Sequence, residues 1–314
     1  MSGATVERPG LHLALVGTTA SGKSALAIEL ARRRPELELV SVDSMQVYRG
    51  MDIGTAKPTP AERAEVPHHL LDLADPSEEF TVSRFQAAFA EALAGIEGRG
   101  HRALLVGGTG LYLQAVVDRL TVPGSWPDVR ADLETEASTP AGVGDLYRRL
   151  VAADPVAAAR IEPANARRIV RALEVTAGSG RLFSSFGPGL DAYPPTRFRM
   201  AGVWLPREVV NARIERRYQQ QLAAGFVDEV RRLAARPGGL SRTAGQALGY
   251  RELLGHLVGN GPLAPAVEEA VRRTRQFARR QRAWFRRDPR ITWLAAARNP
   301  LAALPALLGD WRLT

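Results

Sequence analysis

Gly17-Thr18-Thr19-Ala20-Ser21-Gly22-Lys23-Ser24 spaces two glycines, a lysine and a hydroxyl as G-x-x-x-x-G-K-S. That pattern wraps backbone amides around a phosphate group. A side chain at either glycine would block close approach of the backbone to phosphate, or forbid a positive φ. Lys23 adds a point charge, and the Ser24 hydroxyl is placed to ligate Mg²⁺. The chemistry on offer is the gripping of a di- or triphosphate. A carboxylate, Asp43, ends the run Val40-Ser41-Val42, and the cluster Gly107-Gly108-Thr109-Gly110 follows Leu104-Leu105-Val106. ATP-hydrolysing loops are commonly followed by an apolar strand ending in a Mg²⁺-associated acid. Here that run ends in glycine and the acid comes earlier, so Asp43 either faces the phosphate or caps a helix.

Positioning these residues takes alternating strands and helices. Leu11–Val16 reads as a buried strand, and Ser24–Arg33 as a helix whose N-terminal dipole points at the glycine loop. Leu37–Val42 reads as a second strand, Ser83–Glu97 as a helix and Ala103–Val106 as a third strand. That rhythm predicts a parallel sheet with helices on both faces, and the carboxyl ends of such strands line the ligand crevice. Val122-Pro123-Gly124-Ser125-Trp126-Pro127 marks a break. Residues 125–178 then read as wholly helical, an insert closed by the Gly- and Pro-rich stretch 178–195. Arg199–Leu205 predicts a strand returning to the sheet. From Pro206 onward the pattern is helical, broken at Pro237-Gly238-Gly239 and Gly259-Asn260-Gly261-Pro262. The division is 1–122 for the first part of the core, 123–190 for the helical insert and 191–314 for the return to the core with a basic helical region.

With 45% hydrophobic and 24% charged residues over 314 positions, the composition is that of a soluble globular protein. No apolar run approaches the ~20 residues of a membrane span. The first ten residues, MSGATVERPG, lack the apolar core of a signal peptide, so a cytoplasmic location is expected. The absence of cysteine excludes disulfides, thiolate catalysis and Cys-type zinc sites. The net charge of +9 is concentrated: residues 271–290 hold nine arginines against one acid, Asp288. A helix over Leu263–Arg287 puts Arg272, Arg275, Arg279, Arg282 and Arg286 in one stripe, and Phe277 and Trp284 on one core-facing side with Ala270. Like charges stacked in this way call for a polyanion larger than a nucleotide. Adjacent His68-His69 suits a structural role better than chelation. Tyr48 and Lys57 are open between a substrate channel and ordinary core or surface.

Taken in order, GTTASGKS, VDSMQVYRGMDIGTAKP (42–58), PHHLLD (67–72), VGGTGLYL (106–113), RRIVRALEV (167–175), ALGYRE (247–252) and TRQFARRQRAWFRR (274–287) resemble the tRNA dimethylallyltransferase family across most of the chain. Thr18 departs from the proline usual there, at a variable loop position, and the zinc finger of eukaryotic relatives is missing, in line with the lack of cysteine. The resemblance implies an α/β fold: a P-loop NTPase-like parallel sheet with helices on both faces, a helical insert and a helical C-terminal region. It implies transfer of a dimethylallyl group from dimethylallyl diphosphate to N6 of the adenosine 3′-adjacent to the anticodon in tRNA, with release of pyrophosphate. Gly17, Thr18, Thr19, Ala20, Ser21, Gly22, Lys23 and Ser24, with Arg217, then grip the leaving diphosphate, and Mg²⁺ sits at Ser24. Asp43 is implied as general base and Thr109 as the group that positions the reacting centre.

The same resemblance implies tRNA contacts at Asp43, Ser44, Met45 and Gln46, at Arg167, Arg168 and Arg171, and at Gln246, Gly249, Tyr250 and Arg251. A further set is Arg279, Arg280, Arg282, Trp284 and Arg286, with Arg130 joining from the insert. Arginines and aromatics suit phosphate contact and stacking on a splayed-out base. The partners implied are tRNA and dimethylallyl diphosphate, without a membrane, and the chain is expected to act as a monomer. Competing readings are a small-molecule kinase on the same scaffold, a prenyltransferase for free adenine nucleotides, and a non-enzymatic RNA-binding regulator. The kinase leaves the arginine-rich helix without a use, and the regulator leaves Lys23 and Asp43 without one.

Overall fold

Period-two alternation along the strands divides the apolar residues between two layers. A computed structural model describes residues 12–259 and 261–312. Its strands are β1 (His12–Val16), β2 (Leu37–Val42), β3 (His68–His69), β4 (Arg102–Gly107), β5 (Phe198–Trp204) and β6 (Ile291–Ala295). They form one sheet in the order β3-β2-β4-β1-β5-β6, with every neighbouring pair parallel. Leu13 and Leu15 of β1 join one apolar layer, while Ala14 and Val16 join the other. The first layer is covered by α1 (Lys23–Arg33), through Leu26 and Leu30, and by a C-terminal helix, Leu304–Asp310.

The second layer is covered chiefly by α3 (Val82–Gly98), which follows α2 (Pro60–Glu65). Its buried Phe85, Phe89, Leu93 and Ile96 recur at helical spacing, and the Thr81 side chain accepts from Arg84 N to cap its start. α4 (Gly110–Val117) packs beside it. The expected strands and helices occur within one or two residues of their expected ends; Leu11, where the first strand was expected to start, lies outside the described residues.

A separate compact unit, Arg119–Pro194, contains α5 (Pro127–Glu136), α6 (Pro140–Ala153), α7 (Pro155–Ala158) and α8 (Ala166–Ser179). It has its own core of Leu133, Leu146, Leu150, Ile169 and Leu173. Within this unit the fully buried Glu174 accepts from Trp126 N at 2.9 Å and pairs with Arg171 at 2.9 Å.

The rest of the other unit holds α9 (Arg207–Ala223), α10 (Phe226–Ala234), α11 (Tyr250–Gly259), α12 (Leu263–Phe285) and α13 (Leu304–Asp310). Two strands depart from the sequence expectation. β3 is only two residues long, too short for periodicity to register. β6 corrects the all-helical reading after Pro206: Ile291-Thr292-Trp293-Leu294-Ala295 is a short β-branched and aromatic run that pairs with β5 from Met200 to Trp204.

Candidate active site

Register brings the chemistry-bearing segments level. Gly107 lies opposite Val16 of β1 on one side and Val42 of β2 on the other. The residues that follow, Gly17, Gly108 and Asp43, therefore leave the sheet side by side at its carboxyl end. Gly107 has to be glycine, because a Cβ there would lie 2.0 Å from Val42 O.

The phosphate loop turns through Gly22 at φ 84° into Lys23, the first residue of α1. Lys23 Nζ donates to Thr18 O at 3.3 Å. Burial pushes the Lys23 ammonium down to about 8; the Asp43 carboxylate opposes that shift and Arg217 adds to it. α9 braces the loop, with Arg217 donating to Thr19 Oγ1 at 3.0 Å and Arg213 donating to Ala20 O at 2.7 Å. Burial also lowers the pKa of Arg217, again opposed by Asp43. Lys23, Arg217 and Asp43 thus act on one another electrostatically at the mouth of the loop. Ser21 Oγ is buried there with no hydrogen-bond partner among the described residues, a hydroxyl for which a phosphate oxygen would be a suitable acceptor.

Asp43 caps a turn, not an α-helix. Its Oδ1 accepts from Met45 N at 2.9 Å and Gln46 N at 3.4 Å, and residues 44–47 continue as turns. No described residue bonds Oδ2, which leaves that oxygen as an acceptor. Thr109 Oγ1 accepts from Ser44 N at 3.2 Å and so links the loop after β4 to the loop after β2. Among the described residues no cluster of three or more His, Asp or Glu could enclose a metal. Mg²⁺ commonly takes one or two protein oxygens and the rest from substrate phosphates and water. The exposed Ser24, on the first turn of α1, fits that requirement.

The loop after Asp43 is held from inside. Gln46 Oε1 accepts from Ser41 Oγ at 2.8 Å, and its Nε2 donates to Thr55 O at 3.1 Å. Lys57 is buried and donates to Tyr48 O, Asp52 and Asp72 at 2.6–2.7 Å, which makes it an internal tie. Tyr48 is fully buried beside Phe80. His69 bonds Glu38 at 2.6 Å, in keeping with a structural role for the histidine pair.

The other expected contact residues are spread over several surroundings. Gln246 and Arg251 are exposed, whereas Gly249 has φ 85° with no room for a Cβ beside Phe226. Tyr250 is wholly buried and its hydroxyl donates to Glu229 at 2.5 Å, so it supports the loop from beneath. In the helical unit Arg167 and Arg168 are exposed, Arg130 pairs with Glu134 at 2.9 Å, and Arg171 donates to Pro123 O and Gly124 O.

α12 differs from the expected helix in which face it buries. Ala270, Thr274, Ala278, Gln281 and Phe285 face the core, whereas Phe277 and Trp284 are half-buried. The arginine stripe is partly neutralised within the chain, Arg272 by Glu269 and Arg275 by Glu215. Arg282 donates to Leu205 O at 2.6 Å and stacks 4.1 Å over Trp204. Arg279, Arg280 and Arg286 are exposed. Trp284 lies against Gly110, where a Cβ would meet its ring at 2.3 Å.

Two supporting residues escaped the motif reading. Gln281 Oε1 accepts from Thr19 N at 2.8 Å while its Nε2 donates to Gly108 O at 2.8 Å. The Glu229 carboxylate accepts from Asp52 N, Ile53 N and Gly54 N at 2.8–3.1 Å. Each is a polar residue on a mainly apolar helix face (270, 278, 281, 285 and 226, 229, 230, 233), the signal that could have exposed it.

The family model described as "IPP transferase" matches residues 46–288, and one described as "Isopentenyl transferase" matches residues 10–73. The chain is 48% identical over 282 residues to a tRNA dimethylallyltransferase of Nocardioides sp., covering 90% of each. It is 49% identical over 290 residues to the same enzyme of Kineococcus radiotolerans, again covering 90% of each. Among solved structures, it is similar to the tRNA isopentenylpyrophosphate transferase of Bacillus halodurans, with a TM-score of 0.69, 36% identity and 98% of each chain covered.

Proposed function

The chain belongs to the IPP transferase family, and we propose that it transfers a dimethylallyl group from dimethylallyl diphosphate to N6 of the tRNA adenosine 3′-adjacent to the anticodon. The observation that carries this reading is the level arrangement of the phosphate loop, Thr109 and Asp43 at the ends of β1, β4 and β2. In the reaction the bond between the allylic carbon and the diphosphate oxygen breaks, and the same carbon bonds to N6. The N6 proton passes to the free oxygen of Asp43, and pyrophosphate leaves. The phosphate-loop amides other than Thr19 N and Ser21 N, which are bonded within the protein, act with Lys23 and Arg217 to stabilise the charge that develops on the departing oxygens. Mg²⁺ held at Ser24, when bound, adds neutralisation of the diphosphate. Thr109, tied to Ser44, orients the reacting centre.

Arg167 and Arg168 of the helical unit, together with Gln246, Arg251, Arg279, Arg280 and Arg286, are proposed as tRNA contacts because their side chains are exposed. Arg171, Arg282, Gly249 and Tyr250 are better read as supports, since their own contacts lie within the protein. A tRNA substrate and a chain without cysteine support a cytoplasmic location. Among the described residues no helix is long and apolar enough to cross a membrane.

The test is incubation with Mg²⁺, dimethylallyl diphosphate and unmodified tRNA, followed by nucleoside mass spectrometry. One dimethylallyl group on one adenosine is expected. Prenylation of free AMP or ADP in its place would reassign the substrate, and no prenylation of either would sink the reading. A second result is expected from Arg279, Arg280 and Arg286 changed together to Ala. The log–log salt dependence of tRNA binding should flatten by about 0.7–0.9 for each phosphate that these arginines neutralise. An unchanged slope would remove this end of α12 from the RNA surface.

A further inference from the structure

Gln281 lies on the core-facing side of α12 between Ala278 and Phe285, and it is 6% exposed. A polar side chain in an apolar seam is costly unless its amide is bonded. Here both ends are bonded, Oε1 to Thr19 N and Nε2 to Gly108 O, each at 2.8 Å. The two partners fix the orientation of the amide, because an N–H can only donate and a carbonyl can only accept. The fit is close: a Cβ on Gly108 would meet Gln281 Nε2 at 2.3 Å. One carboxamide thus spans the phosphate loop and the loop whose next residue is Thr109. It does so from the helix that also carries the exposed Arg279 and Arg280.

We propose that Gln281 is a positioning residue that sets the distance between the diphosphate grip and the Thr109–Asp43 side of the reacting centre, an inference that rests on the function proposed above. The breaking carbon–oxygen bond is anchored on the phosphate-loop side, while the attacking nitrogen stands on the Asp43 side. A relative displacement of about 1 Å between two such groups costs ~10²-fold in rate. Gln281 acts through Thr19 N and Gly108 O, and so governs how the two loops stand.

Gln281→Glu and Gln281→Met separate this role from RNA contact and from bulk stability. The Glu variant keeps an acceptor for Thr19 N but, when ionised, sets an oxygen against Gly108 O. Its protonated form restores the donor. At neutral pH, kcat is expected to fall about 10–100-fold with tRNA Kd unchanged, and the ratio to wild type at each pH should recover as the pH is lowered. Gln281→Met, of similar length but without hydrogen bonds, should lose kcat comparably and show no such recovery. A folded Met variant with wild-type kcat overturns the proposal, as does a loss confined to tRNA Kd. Wild-type enzyme assayed alongside reports separately on the functional reading. If it prenylates nothing, calorimetry with pyrophosphate still decides: weaker binding to the Met variant is expected, and equal affinity overturns the proposal.

Discussion

Asp43→Asn is expected to slow prenyl transfer by ~10²–10⁴, the range for loss of a general base, while tRNA binds with unchanged affinity. Asparagine keeps an Oδ1 that can accept from Met45 N and Gln46 N, so the turn after β2 should persist. What is lost is the basicity of the free oxygen. N6 of adenine gains positive character as the allylic carbon bonds to it, and the group placed to take its proton is gone. A secondary effect follows from electrostatics, because Asp43 favours the charged form of Lys23 and its removal leaves burial unopposed. KM for dimethylallyl diphosphate should therefore rise as kcat falls. Single-turnover rates with saturating tRNA, set beside a tRNA binding isotherm, provide the check. An Asn variant with wild-type turnover would exclude Asp43 from the proton transfer.

Lys23→Ala is expected to lose about 10²–10³ in kcat, the usual effect of removing one preorganised charge stabiliser. Its pH behaviour makes a sharper measurement. In the free enzyme the ammonium titrates at about 8 because burial disfavours its charge. Below that pH Lys23 is protonated and attracts the diphosphate; above it the attraction is lost. The value of kcat/KM for dimethylallyl diphosphate should therefore fall above pH 8, and kcat should fall less, because the bound diphosphate holds the proton on. Lys23→Arg, whose guanidinium stays charged throughout, should remove that alkaline limb even if its overall rate is lower. A wild-type profile flat from pH 7 to 10 would show that the charge of Lys23 does not govern donor binding.

The parts of this molecule legible in its sequence are those in which residue type and local spacing act together. The phosphate loop needs two glycines, a lysine and a hydroxyl at fixed offsets, and the strand before it and helix after it carry their own periodicities. The strand end placed Asp43 either facing the crevice or capping a helix; its role as base, and the positioning role of Thr109, came only from the family resemblance. The roles of individual arginines on α12 were not legible. Arg275 is neutralised by Glu215, sixty positions away on α9, and Arg282 finds its carbonyl at Leu205, so only the folded chain reveals which cations remain exposed. The face that α12 buries was misjudged because Phe277 and Trp284 outweigh Ala, Thr and Gln on hydrophobicity. Close packing at 270, 274, 278 and 281 favours the smaller side chains instead. β6 was missed because five residues beside an arginine-rich helix carry too little periodicity to stand out.

The bond between Thr19 and Gln281 joins residues 262 positions apart. On a ribosome adding about 5–20 residues per second, the phosphate loop therefore waits roughly 13–50 s for that partner. The central strand β1 waits as well, since its neighbour β5 is made only after the whole helical unit has been translated. A nascent chain thus carries its most recognisable motif from the start without the surroundings that shape it. Because that shaping partner sits on the arginine-bearing helix, the diphosphate grip and a basic surface suited to RNA are completed in the same late stage of synthesis.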